Sequence, residues 1–119
     1  MLYIFHNPRC KKSREAILFL KENNLKFTEI LYIKNGLSKD IIQSILEKLR
    51  IEPKDLLRKQ EKIWKESYKN KNLNKKKLIN IILEHPNLME RPIIISHDSG
   101  IIGRPIERLK SFIKTQNFS

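Results

Sequence analysis

The chain has one sulfhydryl, and its setting is unusual. Cys10 follows the tripeptide His6-Asn7-Pro8 and stands among Arg9, Lys11, Lys12 and Arg14. The thiolate, not the thiol, is the nucleophilic form, and a free thiol with a pKa near 8.5 is only about 3% ionised at pH 7. Close cations and the N-terminus of a helix both stabilise the thiolate. Most lone cysteines are small buried hydrophobes; the charged flanks of Cys10 favour a reactive one.

A second set of residues suits the same chemistry. Arg58, Arg91 and Arg104 lie far from that loop in sequence, in a chain whose cations are mostly lysine. A guanidinium offers a fork of donors that grips a tetrahedral oxyanion in two places. Arg91 and Arg104 each precede a proline, at either end of a short hairpin pattern, which makes a shared site plausible. A single cysteine excludes an internal disulfide and a zinc site built of thiolates. Ser13, three places after Cys10, stands where a Cys-x-x-Cys motif would carry its second thiol.

The elements that must position these groups follow from the apolar pattern. Leu2 to Phe5 reads as a buried strand, ended by Asn7-Pro8. A helix follows from Cys10 to about Asn23, with Ala16, Ile17 and Leu20 on one face, which places Cys10 at or near its N-terminus. Phe27 to Leu31 or Ile33 is a second strand, parallel to the first and closed by Asn35-Gly36. Ser38 caps a helix through Arg50 with an apolar face of Ile41, Ile42, Ile45, Leu46 and Leu49, and Pro53 opens a short helical segment. After a polar stretch relieved by Ile63, Trp64, Tyr68 and Leu73, Asn74 caps a helix to about Glu84 that Pro86 stops. Pro92 to Ser96 is a strand, His97 to Gly100 a turn, and Ile101 to Gly103 the return strand. The last helix is expected to start at Pro105, a favoured first helical position, and to bury Ile106, Leu109 and Ile113. In open α/β sheets ligands collect beyond the carboxyl ends of the parallel strands, and Cys10 belongs to such a loop.

Composition narrows the function. At 119 residues the chain is expected to form one domain. No stretch approaches the roughly 18 to 20 apolar residues of a membrane helix, and the N-terminal apolar run is too short for a signal peptide. A cytoplasmic protein is expected, so the formal glycosylation sequon Asn117-Phe118-Ser119 is set aside. The net charge of +12 invites a nucleic-acid reading. The excess, however, is lysine spread beside abundant Ile and Asn, with no zinc-finger spacing, RNP aromatics or basic-zipper heptads. A positive field that draws in a small anion is the better account, and no specific nucleic-acid partner is expected.

Taken together, several short motifs resemble the glutaredoxin-coupled (ArsC-type) arsenate reductase family. They are His6-Asn7-Pro8-Arg9-Cys10-Lys11-Lys12-Ser13-Arg14, Ile30-Leu31-Tyr32, Leu56-Leu57-Arg58-Lys59, His85-Pro86, Arg91-Pro92-Ile93 and Gly103-Arg104-Pro105, in order over nearly the whole chain. The resemblance implies an α/β fold with a thioredoxin-like (glutaredoxin-like) mixed four-stranded sheet. It adds a helical insertion at about residues 38 to 85, within a single domain over residues 1 to 119. It implies Cys10 as nucleophile and Arg58, Arg91 and Arg104 as oxyanion-binding arginines. His6 would support ionisation of the cysteine, Asn7, Ser13 and Arg14 would support the loop, and Pro92 would be the cis-proline beside the thiol. The family's loop commonly has Gly-Thr after the cysteine where this chain has Lys11-Lys12, and some members carry a longer tail.

The implied reaction is reduction of arsenate to arsenite through a Cys10 thiolate adduct. With no second thiol in the chain, glutathione is expected as co-substrate and glutaredoxin as the partner that clears the mixed disulfide. No bound cofactor or metal is implied, and a monomer is expected. Two other readings share the fold: a thiol oxidoreductase with a non-arsenate substrate, and an Spx-type regulator that binds RNA polymerase. The second normally uses a Cys-x-x-Cys switch and lacks the Gly-Arg-Pro motif, whereas this chain has Cys10-Lys11-Lys12-Ser13 and Gly103-Arg104-Pro105.

Overall fold

The computed structural model describes residues 1–116, so the sequon at 117–119 lies outside the described residues. β1 (Leu2–Phe5) and β2 (Phe27–Ile30) pair in parallel, joined by α1 (Lys11–Glu22). The chain then forms α2 (Tyr32–Asn35), α3 (Lys39–Leu49), a 3₁₀ turn at Pro53–Leu56, α4 (Lys62–Ser67), α5 (Lys75–Glu84) and a 3₁₀ turn at Pro86–Leu88. β3 (Ile93–Ile95) and β4 (Gly100–Ile102) make an antiparallel hairpin, and α6 (Ile106–Gln116) closes the described chain. The sheet order is β2-β1-β3-β4, with β3 antiparallel to β1. This is the expected mixed four-stranded sheet of thioredoxin-like topology, with helices inserted between β2 and β3.

Strand alternation divides the core into two layers. Leu2, Ile4 and Ile94 face α1 and α6, packing with Ala16, Ile17, Leu20, Leu109 and Phe112. Phe5, Ile93 and Ile95 face the inserted helices, packing with Tyr32, Ile42, Ile45, Leu56, Trp64, Ile82, Leu88 and Met89. Period-two alternation in each strand thus supplies both layers from one sheet.

Helix boundaries follow local capping. Ser38 Oγ accepts from Ile41 N–H, and Asn74 Oδ1 accepts from Lys77 N–H, each satisfying one of the orphan donors of a first turn. Arg50, in the left-handed region at φ 56°, ends α3.

Four expectations are corrected. The second strand stops at Ile30 rather than Leu31 or Ile33, because β1 offers only four partners, Leu2 to Phe5, and Tyr32 turns into the core as the start of α2. The return strand is Gly100–Ile102, one residue earlier than expected, because its register against Ile93 to Ile95 begins at Gly100. Pro105 is not the first residue of α6: its carbonyl accepts from Arg108 N–H at 3.0 Å, so it serves as the cap and the helix starts at Ile106. The buried face of α6 is Leu109 with Phe112, while Ile106 and Ile113 pack only partly covered at its margins.

Candidate active site

The loop after β1 is held as a tight turn. Cys10 N–H donates to Asn7 O at 2.9 Å, and Arg9 N–H donates to Asn7 Oδ1 at 3.1 Å, an Asx turn of the kind that asparagine favours. Arg14 Nη1 reaches back to Pro8 O at 2.9 Å. His6 N–H donates to Ile30 O at 3.0 Å, which fastens the loop's start to the end of β2. Beneath the turn, Ser13 is fully buried. Its Oγ accepts from Asn7 N–H at 3.0 Å and pairs with His6 Nδ1 at 2.7 Å. Asn7, Ser13 and Arg14 are therefore parts of the loop's frame. Burial holds His6 below the ordinary histidine value, with the Arg14 and Lys21 charges acting the same way and Glu29 opposing them.

Cys10 occupies the N-cap position of α1 in extended backbone geometry. Burial by itself would push the thiol up. The Arg91 guanidinium and the backbone N–H groups of Ser13 and Lys12 outweigh it, and the thiol lies below its ordinary range. Arg104 Nη1 stands 4.0 Å from Sγ, the outer limit for a hydrogen bond to sulfur. Arg104 is therefore a charge contact, and Arg91 is the stronger influence on the thiol.

Each arginine is delivered by a specific piece of backbone. Leu57 and Met89 form an isolated antiparallel bridge, flanked by Arg58 N–H to Leu88 O and Glu90 N–H to Leu56 O, both at 2.7 Å. That short ladder sets Arg58 beside Glu90 and Arg91. Arg91 and Arg104 flank the open end of the β3–β4 hairpin, where Gly103 N–H donates to Pro92 O at 2.8 Å. A Cβ on Gly103 would meet Ile94 Cδ1 at 2.7 Å and Pro92 Cγ at 3.4 Å, which explains the glycine before Arg104. The bond before Pro92 is cis, as expected, and the bond before Pro105 is cis as well.

The guanidiniums are partly paired. Glu61 Oε1 lies 3.1 Å from Arg58 Nε and 3.8 Å from Arg91 Nη1. Arg91 Nη1 also donates to Asn87 O at 3.4 Å. Three buried polar atoms have no partner among the described residues: Arg58 Nη1, Arg91 Nε and the Tyr32 hydroxyl. The Glu90 carboxyl is pushed up by burial, against the pull of Arg58, Arg104 and Arg91.

The structure therefore brings Cys10, Arg91 and Arg104 together and ties Arg58 to Arg91 through Glu61. His6 reaches the loop through Ser13, and no hydrogen bond joins it to Cys10 among the described residues. Sequence reasoning missed Glu61, Glu90 and any role for Tyr32. A carboxylate three residues after Arg58 and another directly before Arg91 were the available signals. A cleft of about 400 Å³ also opens beside the loop, lined by His6, Pro8, Arg9, Leu31, Ile33 and Lys34 among others.

The model of the ArsC family matches residues 5–112. The chain belongs to the ArsC family. An arsenate reductase of Haemophilus influenzae is 37% identical over 106 residues, covering 87% of this chain and 91% of the relative. The protein YfgD of Escherichia coli strain K12, whose name states no activity, is 34% identical over 112 residues, covering 92% of this chain and 94% of that one. Among solved structures, an arsenate reductase from Vibrio cholerae superposes with a TM-score of 0.85 at 29% identity, covering 92% of this chain and 95% of the other. Membership in the ArsC family and the thioredoxin-like sheet agree with the motifs read from the sequence. Among the described residues no helix is long and apolar enough to cross a membrane.

Proposed function

We propose that this ArsC-family protein is an oxidoreductase that reduces arsenate to arsenite, with Cys10 as nucleophile and an external thiol as reductant. The observation that carries this reading is the convergence of Arg91 and Arg104 on a depressed thiol, beside buried guanidinium N–H groups that have no partner among the described residues. Buried donors without partners cost free energy unless a ligand supplies acceptors. A tetrahedral oxyanion supplies several at once.

In the first step the Cys10 thiolate attacks arsenic and forms an S–As bond, while one oxygen departs and takes up a proton to leave as water. Arg58, Arg91 and Arg104 hold the remaining oxygens and stabilise the charge on them. Arsenic must then gain two electrons. Cys10 supplies one sulfur, and a second thiol from solution supplies the other, so that arsenite leaves and a mixed disulfide remains on Cys10. Glutathione fits that role, and glutaredoxin would clear the disulfide by thiol exchange. The protein itself needs no bound cofactor or metal for this sequence of steps.

The regulator reading finds less support. Its switch needs a second thiol where Ser13 is buried and bonded to His6. The test of the proposal is arsenate-dependent oxidation of NADPH in the presence of glutathione, glutaredoxin and glutathione reductase, with Cys10→Ser as the background. Turnover confined to the cysteine protein supports the assignment, and its absence in a folded protein overturns it.

A further inference from the structure

Tyr32 is the largest fully buried side chain of the described core, with none of its surface exposed, and its hydroxyl has no partner there. A buried phenol without a hydrogen bond is uncommon, since tyrosine normally keeps its O–H satisfied and a phenylalanine would fill the same space at lower cost. The position of this hydroxyl gives it a use. β1 and β2 are parallel, with Phe5 opposite Ile30, so Tyr32 leaves β2 at the same end of the sheet at which the Cys10 loop leaves β1. The charged groups that act on the phenol are Arg91, Cys10, Arg58 and Glu90, all belonging to or bordering the oxyanion site. The other two unpartnered buried polar atoms belong to two of these same residues, Arg58 Nη1 and Arg91 Nε.

We propose that the Tyr32 hydroxyl is a further oxyanion donor, binding the same anion as the free N–H groups of Arg58 and Arg91. This rests on the oxyanion-site reading above and adds a neutral donor to it. Burial pushes the phenol up to about 12, so it keeps its proton and acts only as a donor toward an anion at working pH. A neutral donor stabilises the bound anion without adding to the repulsion among three guanidiniums. Three unpartnered donors from three separate segments of the chain then have one common acceptor.

The experiment is alkylation of Cys10 by iodoacetamide in the intact protein, with inorganic arsenate as protecting anion, in wild type and Tyr32→Phe. Urea unfolding and the pH midpoint of alkylation without arsenate are measured alongside. The expected result is about tenfold weaker protection by arsenate in Tyr32→Phe, an unchanged alkylation midpoint, and stability equal to or above wild type. Unchanged protection would overturn the proposal. So would a loss of stability, which would show that the hydroxyl is satisfied within the fold. A raised alkylation midpoint with unaltered protection would assign the hydroxyl to the sulfur instead and equally overturn it. Absence of protection in wild type would overturn the oxyanion site itself, and the role of Tyr32 with it.

Discussion

His6 Nδ1 and Ser13 Oγ meet at 2.7 Å in a buried contact beneath the reactive loop. Ser13 thus has a structural task besides standing where a second cysteine would be. In Ser13→Ala, a His6 ring nitrogen and the Asn7 N–H lose their partner inside the fold. The expected cost is about 1–3 kcal/mol, the penalty for an unsatisfied buried polar group, read as a lower urea midpoint at unchanged slope.

The same histidine makes stability depend on pH. Burial holds His6 below the ordinary value of 6.5, so in that window the unfolded chain binds a proton that the folded one resists. Stability from this group is therefore present above about pH 6.5 and is lost as pH falls through the lower folded value. Urea unfolding at a series of pH values should show this acid-side loss in wild type, and His6→Gln should flatten it. An unchanged profile in the variant would assign the loss to other groups.

The thiol should titrate below its usual range. Alkylation of Cys10 followed against pH is expected to show a depressed midpoint, raised in Arg91→Ala because that guanidinium is the largest of the influences lowering it. Arg104→Ala should raise it less, since its contact with Sγ is 4.0 Å. The opposite ranking of the two variants would refute this division of roles.

Glu61 places a negative charge between two arginines of the proposed anion site. Glu61→Gln keeps an oxygen for Arg58 Nε while removing the charge that opposes the incoming anion. In partly solvated surroundings a like charge within a few ångströms opposes an anion by roughly 1 kcal/mol or more. Arsenate protection of Cys10 is therefore expected to tighten by up to about tenfold, less at high salt. Weaker protection would mean that the charge orders the arginines more than it competes for them.

Much of this molecule was legible in its sequence because local rules govern it. Leu2 to Phe5 reads as β1, and Ser38 and Asn74 cap the helices that follow them. Cys10 falls at the start of α1, and Arg91 and Arg104 face one another across the hairpin. What escaped depends on contacts between distant segments. The Leu57–Met89 bridge that sets Arg58 beside Arg91 joins residues 32 positions apart and leaves no periodic trace. Tyr32 lies in a stretch that pattern alone continues as strand, and only the four-residue length of β1 ends it. The pairing of Glu61 with two arginines is likewise visible only once the bridge is formed.

In the proposed reaction a single ionised sulfur, gripped with an oxyanion by arginines, performs the reduction with a borrowed thiol. The most direct measurement is arsenite formation by purified protein supplied with arsenate, glutathione, glutaredoxin, glutathione reductase and NADPH. Turnover is expected in wild type, none in Cys10→Ser, and a loss of tenfold or more in Arg91→Ala. Folded wild-type protein forming no more arsenite than Cys10→Ser would contradict it.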